Sequence, residues 1–412
     1  MAEKHEHIGL ADTLQNRPPE EAAQELQNAD LDTAVRALQE TRPHRSADIL
    51  EHLDISYSTD IISHLPPDDA TDVIGELRHK FRIQVLSRLE EEDATDIIQL
   101  LKYHPETAGG LMTTDFISFP ADTTVSDAIN TLRDDYETAE TVYYAYIVED
   151  GVLKGTVSLK ELTLADRDAA LGDIMETDLE NLPTDMDREE VVRIFDKHHY
   201  QAMPVVEDGT IRGIITFDDV IDVMREEATE DVQKIAGGSG HEEVFSRWTY
   251  KVRKRAPWLY LNLIPAFGGA AVVSLFESTI AQIAILAAFL PVINNQAGNV
   301  GLQALSVTIR GLATGEMDYE RLMTATSKEL LTGITNGLLI GATIGVIAYL
   351  WQSSYMLGVV IFSSMMVTII VANLAGFLVP ITLDRLGYDP ASASSIFVTA
   401  IADISGIFFM LG

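Results

Sequence analysis

Long stretches without a charged residue fill the second half of this chain and constrain its fold more than any other feature. No Asp, Glu, Lys or Arg occurs from Pro257 to Phe276, from Ser278 to Ile309 or from Leu330 to Leu383. A bilayer crossing needs about 20 predominantly apolar residues, so the third stretch alone is long enough for two crossings. A globular core supplies one such stretch but not several in succession, and the sequence therefore predicts an all-α membrane domain.

The uncharged stretches predict five transmembrane helices, and the basic residues predict their orientation. Lys and Arg favour the cytoplasmic side of a membrane, and the basic run 251–255 directly precedes the first predicted span. With that end inside, the four later bases also lie inside, at Arg310, Arg321, Lys328 and Arg385. We therefore expect a multi-pass protein of the cytoplasmic membrane with its N-terminal domains in the cytosol and its C-terminus outside. The predicted spans are 257–277, 283–312, 329–350, 356–382 and 391–411.

Acidic residues are concentrated ahead of the predicted spans. All but eight of the 63 acids and all but four of the 29 bases precede residue 256, which gives residues 1–255 a net charge of −30. Such a surface argues against nucleic acid as a partner, and it favours either cations as partners or the solubility of a salt-adapted protein. The chain contains no cysteine, so disulfides and thiolate metal sites are excluded.

Two internal repeats divide the acidic part. The segment Leu65–Leu77 recurs 24 residues later as Leu89–Leu101, with apolar residues at helical spacing, which predicts stacked helices in a superhelical domain. The segment Tyr146–Leu162 recurs at an offset of 58 as Pro204–Val220. Each of these copies gives a strand, an Asp-Gly turn, a second strand and then a helix start, which predicts a β-hairpin followed by a helix.

The second repeat resembles a tandem pair of cystathionine-β-synthase (CBS) domains. The resemblance includes a Gly-x-x-Ser/Thr-x-x-acid element in both copies, at Gly155, Ser158 and Glu161 and again at Gly213, Thr216 and Asp219. In that family these residues can hold an adenine nucleotide, with the acid accepting from the ribose hydroxyls. The resemblance therefore makes Thr216 and Asp219 candidate nucleotide-binding residues and ATP a candidate modulator.

The segment Phe217–Asp231 carries seven acids and one base. Helical spacing places like charges three and four residues apart, where each pair costs a helix some tenths of a kcal/mol. A solvated acidic face is one interpretation. A site for Mg²⁺ or Ca²⁺ is the other, because these ions take oxygen ligands and neither Cys nor His lies nearby. Asp68 and Asp72, one helical turn apart in the first domain, allow the same two interpretations.

Motifs of enzymes are absent from the sequence. It contains no phosphate-binding Gly-rich loop followed by Lys, no His-Glu-x-x-His and no nucleophile elbow. His198 and His199 lack the partners of a zinc site. The chain is therefore not expected to be an enzyme, and the membrane domain should carry the activity.

The order of these parts closely resembles the MgtE family of magnesium channels. The most specific pieces are Ala108–Thr113, the acidic segment after Phe217, the amide-rich stretch Pro291–Gln303 and the last span, Asp389–Gly406. The resemblance implies a homodimer with its pore between two membrane domains, and an ion site near Asp403. One departure is that Ser395 and Ile396 stand where the family can have Asn-Pro, which puts in doubt a local kink and an amide ligand there.

Further roles follow from the same resemblance. Intracellular Mg²⁺ is expected to bind acidic cytosolic residues and to close the pore when it is abundant. The sensing acids implied are Asp219, Glu227, Glu230, Asp231 and Asp389, with Asp68 and Asp72 in the first domain, and the acidic helix adds Asp222 by its spacing. Because the resemblance places an ion site near Asp403, we predict that the amide-rich stretch lines the pore. The residues of this predicted lining are Asn295, Gly298, Asn299, Gly301 and Gln303.

The predicted architecture has four parts. These are an all-α N domain over 1–108, α/β tandem CBS domains over 109–231, a connecting helix over 232–255 and a five-helix membrane domain over 256–412. The predicted function is a Mg²⁺-selective channel gated by intracellular Mg²⁺. The alternatives are a transporter of Mn²⁺ or Co²⁺, which nitrogen or sulfur ligands would favour, and a membrane-anchored nucleotide-sensing CBS regulator.

Overall fold

A computed structural model describes residues 3–134, 141, 143–178, 180–238, 240, 242, 244, 248–317 and 321–412. The chain divides into two compact units, Met1–Arg225 and Glu226–Gly412. Part of the predicted connecting helix, at 239, 241, 243 and 245–247, lies outside the described residues. The domain boundaries given above stay predictions.

The first unit begins with eight short helices, as the 24-residue repeat predicts. α6 and α8 are the two copies of the repeat, and each helix from α1 to α6 packs against the next but one along the chain. Prolines at the first turn of α2, α4 and α6 suit a helix start, where no backbone donor is lost. One apolar cluster runs through all eight helices. They are α1 (Glu3–Asn16), α2 (Pro19–Asn28), α3 (Leu31–Gln39), α4 (Pro43–Leu50), α5 (Ile55–Ile62), α6 (Pro67–Glu76), α7 (His79–Leu86) and α8 (Glu91–Leu100).

A six-stranded sheet follows, in the order β1-β2-β3-β6-β5-β4. Its two antiparallel hairpins, β2–β3 and β5–β6, pair in registers that differ by the 58-residue offset, and β1 and β4 add as parallel strands. The elements are α9 (Ala108–Leu111), β1 (Ser118–Phe119), α10 (Val125–Asp134), β2 (Tyr144–Glu149), β3 (Val152–Ser158), α11 (Leu159–Leu164), α12 (Leu171–Ile174), β4 (Leu182–Pro183), α13 (Arg188–His198), β5 (Ala202–Glu207), β6 (Thr210–Thr216) and α14 (Phe217–Ile235).

The Asp-Gly turns explain why both hairpins form. Asp150 and Gly151 have φ of 51° and 79°, and Asp208 and Gly209 have φ of 52° and 80°. Two successive residues in the left-handed region make the tight turn whose twist matches that of paired strands, and Asp-Gly is a favoured sequence for it. The predicted sequence of hairpin and helix is confirmed in both copies.

The second unit begins within α14, and its described residues after that helix form five long helices. They and one short helix are α15 (Trp248–Leu275), α16 (Glu277–Gln282), α17 (Ile285–Ala313), α18 (Leu322–Gln352), α19 (Tyr355–Arg385) and α20 (Pro390–Leu411). Among the described residues, four segments are long and apolar enough to cross a membrane: α15, α18, α19 and Ser394–Leu411 of α20. The second predicted span forms a helix, α17, but its amides and glycines keep it below that hydropathy. Five crossings therefore stay a prediction.

A glycine stripe on α18 lets α19 approach closely. A Cβ added at Gly337 would lie 2.9 Å from the carbonyl oxygen of Met366, and one at Gly345 would lie 2.9 Å from that of Gly358. Real Cβ atoms do not approach a carbonyl oxygen so closely. Small residues at this spacing are typical of tightly packed membrane helices.

Replacing Gly345 by Ala should therefore destabilise the membrane unit. Overpacking a tight contact costs about 1–3 kcal/mol, so the thermal unfolding midpoint in detergent should fall. Gly311→Ala is the matched control, because a Cβ at Gly311 meets nothing within 4 Å and Ala favours a helix over Gly by about 1 kcal/mol. Equal midpoints for the two variants would contradict the close-packing interpretation.

Candidate functional site

Carboxylates of α6 and α14 face one another inside the first unit. Asp69 lies in the first turn of α6, and burial together with the charge of Asp219 raises its pKa to about 7, against the opposing hydrogen bond from Gln39. Burial and then the charge of Asp68 likewise raise the pKa of Asp219 to about 7. Asp72 and Asp222 add further negative charge near Asp69. Like charges are thus held together where water screens them poorly.

This α6–α14 acid surface contains four predicted site residues and one that was missed. Asp68, Asp72, Asp219 and Asp222 were predicted, whereas Asp69 was not, although it follows Asp68 directly in the sequence. Gln39 donates a hydrogen bond of 3.2 Å from Nε2 to Asp69 Oδ2. Among the described residues, no group of three or more His, Asp or Glu side chains is arranged to hold a metal ion. Arg225 pairs with Asp222 at 3.0 Å, and the raised pKa values of Asp69 and Asp219 indicate repulsion between their carboxylates.

The two nucleotide-type elements act as helix starts. The Ser158 hydroxyl and the Glu161 carboxylate form a reciprocal capping box at α11. Thr216 is buried, and its Oγ1 donates a hydrogen bond of 2.5 Å to Asp219 Oδ2. A cavity of about 400 Å³ lies beside the first element, lined by Ser158, Lys160, Glu161, Leu164, Ala165 and Ile174. Nucleotide binding by Thr216 and Asp219 stays a prediction.

The second unit brings three predicted acids together around a lysine. Lys234 Nζ lies 2.5 Å from Glu230 Oε1 and 2.7 Å from Asp389 Oδ2. Burial disfavours the charged form of Asp389 and by itself would raise its pKa. The hydrogen bonds from Lys234 and Ser392 outweigh this effect and lower the pKa of that carboxyl. Burial, followed by the charge of Asp389, raises the pKa of Asp231.

Of the predicted sensing acids, Glu230, Asp231 and Asp389 therefore meet in this α14–α20 junction. Glu227 lies partly buried on the same helix, α14. Lys234 was not predicted as a site residue. Its spacing of four from Glu230 was readable in the sequence, but its contact with Asp389 spans 155 residues and was not.

The predicted pore residues lie on two helices, α17 and α20, and differ in burial. Asp403 is partly buried on α20, whereas Asn295, Asn299 and Gln303 of α17 are exposed on the bundle surface. Gly301 is buried, and a Cβ there would lie 2.7 Å from Val398 Cγ1 of α20. At Gly298 a Cβ would meet nothing within 4 Å. Gly301 thus serves close helix packing, and Gly298 leaves open space.

A polar cavity of about 520 Å³ lies between α17 and α18. It brings the predicted Asn299 and Gln303 together with three polar residues that were missed, Gln296 and Ser306 of α17 and Asn336 of α18. The α17 residues are spaced by three, four and three, which places them on one helical face. That spacing could have identified them from the sequence, whereas the contribution of α18 could not be seen there. Val300, Leu302 and Ile340 complete the lining.

Comparison with protein families finds matches along most of the chain. A model described as the MgtE intracellular N domain matches residues 7–106, and the CBS domain matches residues 108–168 and 171–226. A model described as MgtE, divalent cation transporter, matches residues 290–412.

Comparison with individual proteins gives relatives of similar organisation. The chain is 37% identical over 311 residues to the magnesium transporter MgtE of Enterococcus faecalis, covering 75% of this chain and 68% of that protein. It is 34% identical over 316 residues to the magnesium transporter MgtE of Bacillus subtilis, covering 76% and 70%. A crystal structure of the cytosolic domain of the Mg²⁺ channel MgtE in complex with ATP is 28% identical, covers 52% of this chain and 93% of that one, and has a TM-score of 0.40.

The α6–α14 acid surface makes stability depend on pH. Asp69 and Asp219 have pKa values of about 7 in the folded chain, against the ordinary aspartate value of 3.8. The folded chain therefore binds more protons than the unfolded chain between these values, so its free energy of unfolding should fall as pH rises from about 4 to about 7. Thermal unfolding of the purified protein in chelator, at a series of pH values, measures this.

Asp69→Asn should make that pH dependence shallower, because one of the two titrating groups is gone. Asp60→Asn, at an exposed position of the same helical domain, should leave it as in the parent. A parent whose unfolding midpoint rises over this pH range would contradict the assignment.

Proposed function

The chain belongs to the MgtE family of magnesium transporters, and from this premise we propose that it is a Mg²⁺-selective channel of the cytoplasmic membrane, closed by intracellular Mg²⁺. The observation that carries the regulatory part is the α6–α14 acid surface. Two carboxyl groups there have pKa values raised to about 7, so their ionised forms repel. A divalent cation would neutralise this charge more effectively than a proton at cytosolic pH.

The proposed ion path includes Asp403 of α20 and the polar side chains of α17. An ionisable residue within a span is costly and usually faces water or a partner. Mg²⁺ gives up its water reluctantly, so a pair of Asp403 carboxylates from two protomers of a homodimer would hold it through its water shell. Asn295, Asn299 and Gln303 would offer neutral oxygens that do not bind the ion too tightly to release it. In this proposal α17 crosses the membrane as the fifth span.

Gating would follow from the relief of repulsion. When cytosolic Mg²⁺ is scarce, the helical N domain and the CBS pair repel each other through Asp68, Asp69, Asp72, Asp219 and Asp222. Bound Mg²⁺ would draw them together and favour closure. To shift a two-state equilibrium from 1:99 to 99:1 requires about 5.5 kcal/mol of differential binding, which several weak sites could share.

The competing functions make different demands on the site. Transport of Mn²⁺ or Co²⁺ would favour nitrogen or sulfur ligands, and the proposed path offers oxygen. A nucleotide-sensing regulator would need Thr216 and Asp219 free for a ligand, and Thr216 Oγ1 instead donates to Asp219. ATP is retained as a candidate modulator. Tight adenine-nucleotide binding without ion flux would favour the regulator.

Expression of the protein should restore growth of a magnesium-transport-deficient bacterial strain at low Mg²⁺. Asp403→Ala should abolish the rescue, because the charged group of the path is lost. Glu316→Gln, an exposed acid outside the predicted spans, is the matched control and should rescue like the parent. Equal rescue by the Asp403 variant, at equal expression, would remove Asp403 from the path.

Millimolar Mg²⁺ should protect the segment between α8 and α9 from protease in purified protein, because neutralised acids hold the two domains together. The double variant Asp69→Asn, Asp219→Asn should already be protected in chelator. Cleavage is followed by gel electrophoresis and mass spectrometry. If cleavage of the parent were the same in chelator and in Mg²⁺, the gating proposal would be wrong.

A further inference from the structure

Lys234 lies at the centre of the α14–α20 junction. Its ammonium group contacts Glu230, four residues earlier on α14, at 2.5 Å and Asp389, ahead of α20, at 2.7 Å. The side chains of Lys234 and Glu230 are only 18% and 9% exposed. Asp389 is more exposed, at 36%, so the Lys234–Glu230 pair is the one that salt screens little, in contrast to surface pairs. The lysine is therefore a structural cation of the junction.

Both carboxylate oxygens of Asp389 accept hydrogen bonds from donors of the protein. Oδ1 accepts from the backbone N–H of Ala391 at 2.8 Å, which caps α20, and Oδ2 accepts from Ser392 Oγ at 2.6 Å and from Lys234 Nζ. An ammonium group has three donors and no acceptor, so it can satisfy carboxylates on two helices at once. That is the geometric role a bridging divalent cation would otherwise fill.

The turn after α14 covers this arrangement. Gly240, with φ of +86°, packs on Glu230 so closely that a Cβ there would lie 2.5 Å from Glu230 Cγ. The turn is fixed to α14 because the Gln233 amide exchanges two hydrogen bonds with the backbone of Glu242, at 2.9 and 3.1 Å. Glu230 is consequently only 7% exposed.

Apolar packing joins the same two helices. Ile235, next to Lys234, packs against a buried cluster formed by Leu305 and Ile309 of α17 and Ala391 and Val398 of α20. The end of α14 is thus attached to α20 both by charge and by apolar contact. Because α20 also carries Asp403, any displacement of α14 would act on the helix of the proposed ion path.

We propose that Lys234 is a tethered cation that takes the place of a regulatory divalent ion at the α14–α20 junction and so makes this link independent of metal. The inference rests on the proposed function and deepens it. The Mg²⁺-dependent movement occurs at the α6–α14 acid surface, and the junction transmits it to α20. Glu230 and Asp389 then serve as anchors of the link and not as Mg²⁺ sensors.

The test measures the junction distance with and without metal. The chain has no cysteine, so spin labels can be attached to cysteines introduced at Val232 and Tyr388, which are 68% and 67% exposed on the two sides of the junction. Labelled full-length protein is diluted with unlabelled protein so that only one protomer of an assembly carries labels. Pulsed electron paramagnetic resonance then gives the distance distribution in chelator and in millimolar Mg²⁺.

The parent should give the same narrow distribution in both conditions. The parent's peak lies at short distance, and Lys234→Gln should lose it in chelator because the three carboxylates of the junction then lack the positive charge of Lys234. Added Mg²⁺ should restore the peak. Asp389→Asn should also lose the peak in chelator, and Mg²⁺ should restore it less fully; this variant retains an N-cap residue for α20 and serves if Lys234→Gln fails to fold. Lys234→Arg, which keeps the charge, and Lys80→Gln, an exposed lysine, should behave like the parent.

Two results would overturn the inference. One is a parent junction that separates in chelator, and the other is a Lys234→Gln junction that stays closed in chelator. The protease assay on the parent reports separately on the proposed function: if protection by Mg²⁺ fails while the junction results hold, the gating proposal is wrong and the tethered cation stands.

Discussion

Repulsion between carboxylates held close together is the interaction on which the first unit of this protein depends. A helix start favours acids because of its dipole, which explains why α6 and α14 each begin with a pair of aspartates. The fold then brings these two starts near enough for their charges to raise the pKa values of Asp69 and Asp219, so residues that stabilise each helix separately repel one another. Burial strengthens the effect, as the raised pKa values of Asp69 and Asp219 indicate. Protonation or a bound cation would reduce this repulsion.

The two acid groups of the chain handle their charge in different ways. On the α6–α14 acid surface Arg225 pairs with Asp222 at 3.0 Å, while the raised pKa values of Asp69 and Asp219 indicate crowded negative charge. At the α14–α20 junction Lys234 balances part of it from within, between Glu230 and Asp389. In the proposed mechanism the first group senses Mg²⁺ and the second is a fixed connection. The proposed sensor and the proposed link thus use the same acidic residue types, with Lys234 at the centre of the link.

Local sequence patterns predicted the secondary-structure elements well, but they did not predict contacts between residues that are far apart in the chain. The Asp-Gly hairpins, the glycine stripe and the helical repeats each depend on residues within one or two elements, and their geometry follows from backbone preference and spacing. Asp69 was missed because its importance arises from the approach of α14, far along the chain. Lys234 was missed because its partner Asp389 belongs to another helix. Asn336 was missed because a cavity requires two helices. The acids and amides were recognisable as residue types, while their partners were set by tertiary structure.

The composition of α17 has a consequence for how the protein is made. With its face of Gln296, Asn299, Gln303 and Ser306, this helix is less hydropathic than the four candidate spans, and Arg310 near its end adds to the cost of insertion. Neighbouring helices supply contacts that stabilise α17 in the bundle. Helices α19 and α20 pack along its apolar face, and α18 borders its polar face. All three follow it in the chain. As the proposed fifth span, α17 would depend for stable integration on helices that are synthesised later, so the bundle would be built cooperatively and not by independent insertions.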